Sequence, residues 1–265
     1  MRFVLSMELM CGRYATTADP ATLAAELDAL DETPNAEGGG SPRVGYNIAP
    51  TTTVAAVVDR RDDSADADSP LRRRIRAMRW GLVPHWSKEI KKGPLLFNAR
   101  AESAADKPAF RTSMKSKRCL IPMDGWYEWV QADDPVTGKL VKVPYFMTPR
   151  DGSRIYVAGV WSAWRDPSAQ EDAPPLLSCA VLTTDAVGVL TEIHDRMPLV
   201  VSPDRWQAWL APDRPAAEDL LQPPADFDST IEVRRVSTKV NQVRNEGSDL
   251  IVPVGDADER EPQLF

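Results

Sequence analysis

The chain has 265 residues and a formal net charge of −7, with 27% charged and 43% hydrophobic residues. A chain of this length forms one large domain or two small ones and buries a substantial core. The acidic balance argues against a protein that binds nucleic acid over its whole surface, but it leaves room for a local basic cleft.

The numbers of cysteines and histidines limit the kinds of disulfide and metal site that the chain could form. The widely spaced thiols Cys11, Cys119 and Cys179 form no disulfide framework and indicate a reducing compartment. Two histidines and no C-x-x-C motif predict no zinc cluster. No apolar run approaches the ~18 residues that span a membrane, and residues 1–9 are too short for a signal peptide. We therefore predict a cytoplasmic protein without a metal or a membrane contact.

The first half of the chain predicts one short helix and two strands. Asp19 as N-cap, with Leu23 and Leu27 on one face, predicts a helix from Pro20 to Leu30. Strands are predicted from Val54 to Val58 and from Leu71 to Met78. The charged segment between them, Arg60 to Pro70, lacks large apolar residues and is typical of a disordered hairpin tip.

The second half is richer in predicted strands. Arg118 to Pro122 and Trp126 to Val130 predict a strand pair that turns at Asp124-Gly125. The other predicted strands are Lys142 to Met147, Ile155 to Trp161, Leu177 to Thr183, Leu199 to Val201 and Ile231 to Val236. The predicted helices are Lys107 to Lys115, Val187 to Ile193 and Pro203 to Leu210. Many strands and few short helices, in no βαβ order, predict a single β-rich α+β domain.

The stretch Met10-Cys11-Gly12 contains the first candidate for chemistry. If Met10 is removed, Cys11 carries a free α-amine beside its thiol, and both groups are partly deprotonated near neutral pH. Such an aminothiol condenses with an aldehyde to an imine, and the thiol then closes a five-membered thiazolidine. On these residues alone, a buried structural thiol is the more common role.

Three further short stretches hold candidate polar groups. Glu128 alternates with Trp126 on a predicted strand, and a carboxyl group among indole rings has a raised pKa that suits general acid–base work. An exposed edge-strand glutamate is an equally common alternative. Asn98 with Arg100, and His194 with Arg196, each place a polar group two residues from a cation, as a nucleic-acid backbone requires. Taken singly, these residues are more typical of a histidine that caps a helix and of arginines in surface ion pairs.

Together, ten blocks of sequence resemble one family. They stand in the order found in the SRAP family, the SOS-response-associated peptidase domains, also known as abasic-site-processing proteins. The blocks are Cys11-Gly12-Arg13-Tyr14, Tyr46-Asn47-Ile48-Ala49-Pro50, Arg79-Trp80-Gly81-Leu82-Val83-Pro84, Asn98-Ala99-Arg100-Ala101-Glu102, Arg118-Cys119-Leu120-Ile121-Pro122, Gly125-Trp126-Tyr127-Glu128-Trp129, Ala158-Gly159-Val160-Trp161, Thr183-Thr184, His194-Asp195-Arg196-Met197-Pro198 and Val236-Ser237-Thr238-Lys239-Val240-Asn241.

The resemblance implies a fold and a domain organisation. The fold is a single β-rich α+β domain over residues 10–255, with mixed or antiparallel sheets in a barrel-like arrangement and short flanking helices. Residues 1–9 are then an N-terminal extension and residues 256–265 a polar, flexible tail.

The resemblance also implies a chemistry. The family crosslinks covalently to abasic sites in single-stranded DNA through a cysteine exposed by methionine removal, here Cys11. By position, Asn98 holds the sugar, Glu128 is the general acid–base residue and His194 lies near the sugar hydroxyl. An SOS-response role, lyase and self-cleaving peptidase activity, a monomeric state and the absence of any cofactor are implied with it.

The implied DNA contacts are spread over several blocks. Arg100 and Arg196 match phosphate contacts, and Thr183 lies in a threonine motif near the site. Arg13 is assigned to the DNA-binding set with them. Pro50 and the aromatic loop with Trp80 and Trp86 are suited to stack on bases beside the lesion.

One departure from the family pattern concerns the N-terminus. Family members begin with Met-Cys, whereas nine residues precede Met10 here. An acylated Cys11 nitrogen cannot form an imine. We favour a start codon assigned too early, and self-cleavage of the Met10–Cys11 bond is the alternative.

Two functions of other classes stay open on the sequence. One is a cysteine peptidase with Cys11 as nucleophile, His194 as base and Asn98 as the residue that orients it. The other is a non-catalytic module that binds single-stranded DNA through aromatic and arginine side chains. The second gives no role to Glu128 or to the Met-Cys pair.

Overall fold

The computed structural model describes residues 11–33, 40–61, 69–90, 93–133 and 137–255. The predictions for residues 1–9, for the tail 256–265 and for most of the segment Arg60 to Pro70 lie outside these ranges. Within them, the strands are β1 (Tyr14–Thr16), β2 (Leu30–Asp31), β3 (Gly45–Ile48), β4 (Thr53–Arg60), β5 (Arg72–Trp80), β6 (Asn98–Arg100), β7 (Arg118–Met123), β8 (Gly125–Asp133), β9 (Leu140–Pro149), β10 (Ile155–Trp164), β11 (Leu176–Asp185), β12 (Arg196–Pro198) and β13 (Ile231–Arg235).

The helices are short and lie around the sheets. The α-helices are α1 (Pro20–Leu27), α2 (Ala101–Ala104), α3 (Arg111–Ser116), α4 (Trp206–Leu210) and α5 (Phe227–Thr230). Single 3₁₀ turns occupy Gly188–Glu192, Pro203–Arg205, Glu218–Leu221, Thr238–Asn241 and Ser248–Ile251. In the described part of the chain, no helix combines the length and the apolar character needed to cross a membrane.

Five strands close into a barrel. β4 pairs antiparallel with both β5 and β7, β7 with β10, and β10 with β11. A short parallel pairing of β11 with β5, where Cys179 lies opposite Trp80, completes the ring. Alternate residues of each strand face the interior, as period-2 strands require, and Val54, Met78 and Val181 belong to this buried core. The outer face is covered by α1 and α4 through a second apolar cluster that includes Leu23 and Trp209.

A second, five-stranded sheet has the order β13-β9-β8-β1-β3 and packs against the barrel. Successive side chains of its strand β8 point to opposite faces of the sheet. Trp126 faces the barrel core, whereas Tyr127 faces a separate cluster with Val240 and Leu250. Gly125 is needed where β8 begins, because a Cβ there would lie 2.4 Å from the Met147 carbonyl oxygen. The sheet is therefore buried on both faces, and Glu128 points to the side where the two sheets meet.

Arg118 is a buried cation at the start of β7. Its guanidinium donates hydrogen bonds to the carbonyl oxygens of Met114 and Lys115 in α3, of Trp209 and Ala211 at the end of α4, and of Arg214 beyond it. Burial lowers its pKa to about 10. These carbonyls have no intrahelical donor, so one side chain satisfies the ends of two helices.

The fold confirms the predicted β-rich α+β class and its barrel-like arrangement. Asp19 caps α1 as predicted by accepting a hydrogen bond from the Thr22 amide. The helix ends earlier than predicted because Asp28 adopts a left-handed conformation, with φ +48°.

Several predicted elements need correction. β7 and β8 do not form a hairpin, because β7 joins the barrel and β8 the other sheet. The helix predicted from Lys107 to Lys115 is α3, which begins at Arg111. The helix predicted from Val187 to Ile193 is a 3₁₀ turn, and Pro203 to Leu210 divides into a 3₁₀ turn and α4. The strand predicted from Leu199 to Val201 is instead β12, three residues earlier.

Candidate active site

Cys11 lies buried directly before β1, within reach of a carboxyl group from β8. Its backbone nitrogen donates a hydrogen bond of 2.7 Å to Glu128 Oε1. The antiparallel pairing of β1 with β8, with Tyr14 opposite Trp126, brings the two together. Cys11 has φ +43°, an uncommon conformation for a residue with a Cβ. The Asn98 side-chain amide donates to the Cys11 carbonyl oxygen at 3.5 Å, so Asn98 also lies at this site.

Glu128 is 2% exposed and shares a face of β8 with Trp126. Burial raises its pKa from 4.5 to about 8, although hydrogen bonds from Cys11 oppose the shift. Burial and the neighbouring Glu128 raise the pKa of the Cys11 thiol well above its ordinary value. The site therefore holds a protonated carboxyl group near neutral pH beside a thiol that stays protonated until a base accepts its proton.

His194 follows the 3₁₀ turn Gly188–Glu192 and is buried at the same place. Its Nδ1 accepts a hydrogen bond of 2.9 Å from the Arg196 backbone N–H, and Asp195 Oδ1 lies 2.8 Å from the same nitrogen. Burial lowers the His194 pKa. The Arg196 backbone N–H can only donate, so Nδ1 must accept its hydrogen, whereas the exposed Asp195 carboxylate has water as an alternative partner. We therefore assign a neutral imidazole with its proton on Nε2.

A cleft of about 210 Å³ opens beside these residues. Its lining is Gly12, Arg13, Glu128, Trp129, Lys142, His194 and Asn241. Arg13 is held by hydrogen bonds to Asn47 Oδ1 at 2.6 Å and the Val240 carbonyl oxygen at 3.0 Å, with its guanidinium over the Trp129 ring. The cleft thus combines two cations, an aromatic ring and Glu128, and Gly12 brings it next to Cys11.

Three residues that line this cleft, Trp129, Lys142 and Asn241, and the buried Asn47 that supports it were not predicted as site residues. Asn47 is fully buried, and its amide donates to carbonyl oxygens of Gln242 and Asn245, which fixes the segment that carries Asn241. Trp129 Nε1 donates to Asn241 Oδ1 at 2.6 Å. Asn47, Trp129 and Asn241 lie inside the family blocks quoted above, and this position could have identified them as site residues. Lys142 lies outside these blocks, and nothing in the sequence around it indicates a site residue.

Comparison with known proteins decides the family. Residues 10–243 match the family described as SOS response associated peptidase (SRAP). The chain belongs to the SRAP family.

Relatives of this SRAP chain carry a common name. It is 33% identical over 248 residues to "Abasic site processing protein YoqW" of Bacillus subtilis, covering 91% of this chain and 99% of that protein. It is 31% identical over 277 residues to "Abasic site processing protein HMCES" of Gallus gallus, covering 92% and 78%. The crystal structure of a protein from Bacteroides thetaiotaomicron shares the fold, with a TM-score of 0.69, 20% identity and coverage of 92% and 100%.

Some of the DNA-binding residues predicted for this SRAP chain are exposed and others are buried. Trp86 is 59% exposed, Arg100 is exposed and Pro50 is half-buried, so each presents surface to a ligand. Trp80 is 1% exposed, and its Nε1 donates to the Phe97 carbonyl oxygen, so its predicted stacking on bases is wrong and its role is packing. Thr183 is fully buried on β11, beneath the surface that DNA could touch.

Arg196 also differs from the prediction. It is largely buried, pairs with Glu102 at 2.9 Å and with Asp185, and donates to the Thr183 carbonyl oxygen at 2.7 Å. Two carboxylates already neutralise its charge, so the predicted phosphate contact is replaced by a structural one. Arg196 holds β12, β11 and α2 together beneath His194.

The arrangement does not support a Cys–His–Asn peptidase triad. His194 Nδ1 bonds the Arg196 amide, and the Asn98 amide bonds the Cys11 carbonyl, so neither hydrogen bond links the three side chains in series. The raised pKa of Cys11 is opposite to that of an activated cysteine nucleophile.

Proposed function

We propose that this chain processes abasic sites in single-stranded DNA by forming a covalent thiazolidine crosslink through Cys11. The observation that carries the proposal is the 2.7 Å hydrogen bond between the Cys11 nitrogen and Glu128 Oε1. It places the nitrogen that would attack an aldehyde against a buried acid. The proposal requires that Met10 be removed, so that this nitrogen is a free amine.

The chemistry balances with the release of one water molecule. The amine of Cys11 adds to the aldehyde of the ring-opened sugar and gives a carbinolamine. Glu128 donates a proton to the departing hydroxyl, and water leaves as the protonated imine forms. The Glu128 carboxylate then accepts the proton of the Cys11 thiol as the sulfur adds to the imine carbon, which restores the acid and leaves the ring nitrogen with its proton.

Other residues near Cys11 have supporting roles in this proposal. The Asn98 amide lies at the Cys11 carbonyl and can orient the sugar beside it. Neutral His194 borders both Glu128 and the cleft, so its ring can lie beside a sugar hydroxyl. Arg13, Lys142 and exposed Arg100 provide local positive charge in an otherwise acidic protein, which favours a phosphate backbone.

The direct test is crosslinking with purified protein that begins at Cys11. We expect a heat-stable adduct with an oligonucleotide containing one abasic site, and none with the intact oligonucleotide. Cys11→Ala should leave at most an imine that borohydride traps. Cys119→Ala is the matched control, because Cys119 is an equally buried thiol inside the barrel. An undiminished adduct in Cys11→Ala without borohydride contradicts the proposal.

Self-cleavage of the Met10–Cys11 bond is a second candidate function. The same hydrogen bond favours it, because Glu128 lies against the nitrogen that would leave when the peptide is hydrolysed. Hydrolysis consumes one water and gives a Met10 carboxylate and the Cys11 amine. The intact mass of the full chain, followed over time, should show loss of residues 1–10, and Glu128→Gln should slow it. A stable full-length mass contradicts this candidate.

We further propose a cytoplasmic role in the DNA damage response, where abasic sites arise in exposed single strands. A deletion strain should then be sensitised to agents that generate abasic sites, and Cys11→Ala should fail to complement it. Lyase activity would appear as strand cleavage at the abasic site. Complementation by Cys11→Ala would contradict a role that depends on the crosslink.

A further inference from the structure

A small void lies beside Glu128, next to the cleft. Its volume is about 10 Å³, and its lining is Trp126, Glu128, Met147, Leu190, Ile193, His194, Arg196 and Met197. Glu128 and His194 line both the void and the cleft, so the two spaces adjoin at these side chains. A void of this size is just large enough for one water molecule.

Three N–H groups on the void's lining residues have no hydrogen-bond partner within the described ranges of the chain. They are Trp126 Nε1, His194 Nε2 and Arg196 Nε. Their residues are 1%, 6% and 8% exposed, respectively, so bulk water does not satisfy them. A buried donor left without an acceptor costs roughly 1–3 kcal/mol, and three at one place are uncommon in a native fold.

The hydrogen-bond donors and the acceptor at the void are those that one water molecule can bind. Because His194 Nδ1 accepts the Arg196 amide hydrogen, Nε2 carries a proton and is a donor. Trp126 Nε1 is only ever a donor, and Glu128 supplies the acceptor. A water molecule accepts two hydrogen bonds and donates to a carboxyl oxygen, which fits two of these donors and Glu128. The remaining lining is apolar, so the donors define where the molecule sits.

Trp126 is held rigidly enough to position such a molecule. It stacks on Phe227 with ring centroids 6.4 Å apart and an interplanar angle of 18°. On β8 it lies opposite Met147 and Tyr14, which fix the strand on both sides. Because Trp126 and Glu128 are two residues apart on one strand, their relative placement is set by the strand itself.

We propose that this void is a water site, in which Trp126 positions a water molecule against Glu128 for exchange with the carbon that bonds to Cys11. The inference rests on the proposed function. In crosslink formation, the hydroxyl of the carbinolamine takes a proton from Glu128 and leaves as water. In reversal, Glu128 protonates the sulfur as the thiazolidine C–S bond breaks to a protonated imine. A water molecule then adds to the imine carbon, and the Glu128 carboxylate accepts a proton from that water.

The same transition state serves dehydration and hydration, so the site affects both directions alike. Removing the Trp126 donor should slow formation and reversal by the same factor and leave the equilibrium fraction of crosslink unchanged. A residue that only supports the fold would instead alter DNA affinity or the equilibrium. Trp126 is therefore a positioning residue, distinguishable by its effect on rates alone.

The first test needs no variant. A high-resolution crystal structure of the protein beginning at Cys11 should show an ordered water within hydrogen-bond distance of Trp126 Nε1 and a Glu128 oxygen. A dry void, or one closed by a side chain or filled by an ion, overturns the proposal. This readout is independent of crosslinking, so it stands even if the proposed function fails.

The second test is kinetic. Trp126→Phe keeps the stack on Phe227 and loses the N–H, and we expect formation and reversal each to slow about tenfold, the effect of one hydrogen bond. Trp209→Phe is the matched control, because Trp209 is equally buried but donates to the Cys119 carbonyl oxygen, away from the site. Unchanged rates in Trp126→Phe, or equal slowing in both variants, overturn the role of Trp126. Absence of crosslinking in the parent protein instead overturns the proposed function.

Discussion

The nitrogen of Cys11 lies 2.7 Å from Glu128 Oε1, although the two residues are 117 positions apart in the chain. The register of β1 on β8 explains this proximity, because Tyr14 lies opposite Trp126 and the Tyr127 amide bonds the Arg13 carbonyl oxygen at 2.9 Å. Antiparallel pairing then brings the residues just before β1 alongside Glu128. The Cys11 nitrogen and the Glu128 carboxyl group are thus positioned by backbone hydrogen bonds.

Glu128→Gln should slow crosslinking by about 10²–10⁴-fold, the usual loss for one general acid–base group. DNA affinity should change little, because glutamine keeps the shape of the side chain. The parent rate should fall as pH rises through the pKa of the acid, which is about 8 with Met10 attached. A free amine at Cys11 would share its proton with Glu128 and lower this value. Single-turnover crosslinking between pH 5 and 9 measures both effects.

Asp195→Asn is the control for this experiment, since Asp195 is the neighbouring carboxylate and is exposed. Its rate should stay within a few fold of the parent rate. If Glu128→Gln reacts at the parent rate across this pH range while Asp195→Asn does not, the acid has been assigned to the wrong residue.

The buried Glu128 should also affect stability. Between its ordinary pKa of 4.5 and the folded-state value of about 8, the folded chain keeps a proton that the unfolded chain has lost. The free energy of unfolding should therefore fall as pH rises through this window. Glu128→Gln should be more stable than the parent at pH 8.5, by roughly 1–4 kcal/mol, and closer to it at pH 4. Urea unfolding of both proteins, each with Met10 attached, measures the difference, and a constant difference across this range contradicts the raised pKa.

Arg100 and Arg196 should behave differently although both were predicted as phosphate contacts. Arg100→Ala should weaken binding to single-stranded DNA and reduce the slope of log K against log salt by about one, without loss of stability. Arg196→Ala should leave the slope unchanged and destabilise the fold by about 1–3 kcal/mol, because it loses hydrogen bonds to Glu102, Asp185 and Thr183.

Arg111→Ala on α3 provides the same change of charge at an exposed position outside the cleft lining. Anisotropy titrations at several salt concentrations compare the three variants. A slope that falls equally for Arg100→Ala and Arg111→Ala would mean that Arg100 contributes only general charge.

Two tryptophans of one loop region offer a similar contrast. Trp86→Ala should lower affinity for single-stranded DNA by an amount typical of one base stack, about 1–3 kcal/mol, and leave stability nearly unchanged. Trp80→Ala should cost about 3–5 kcal/mol of folding free energy, because it empties a buried site packed against Tyr14 and Phe97. Thermal unfolding and DNA binding of both variants separate the two roles, and a stable Trp80→Ala with weakened DNA binding would restore the stacking role for Trp80.

Local sequence patterns predicted most strands, since alternation and turn residues mark them directly. They did not predict how strands pair: Asp124 and Gly125 resemble a hairpin turn, yet β7 and β8 separate into two sheets. The short parallel pairing of β5 with β11 that closes the barrel joins residues about 100 positions apart, and no local signal encodes it. The class of the fold was therefore predictable, whereas its closure was not.

In the candidate site, too, the residues were predictable from local sequence, whereas their contacts with distant residues were not. Cys11, Asn98, Glu128 and His194 were predicted because they lie in family blocks, and the structure brings all four together. Whether the charge of Arg100 or Arg196 is free to bind a phosphate could not be predicted, because it depends on residues far away in the sequence. Arg196 meets Glu102 and Asp185 only after β11 and β12 pair, so no inspection of His194-Asp195-Arg196 reveals that its charge is already neutralised.

Intact mass of the protein–DNA adduct tests the central claim most directly. Protein beginning at Cys11, incubated with an oligonucleotide that contains one abasic site, should give a species whose mass is the sum of the two components minus one water. Proteolysis of this species should place the linkage on the peptide that begins at Cys11, stable without borohydride. The absence of any adduct, or an adduct that maps to a lysine and persists in Cys11→Ala, would contradict the thiazolidine crosslink.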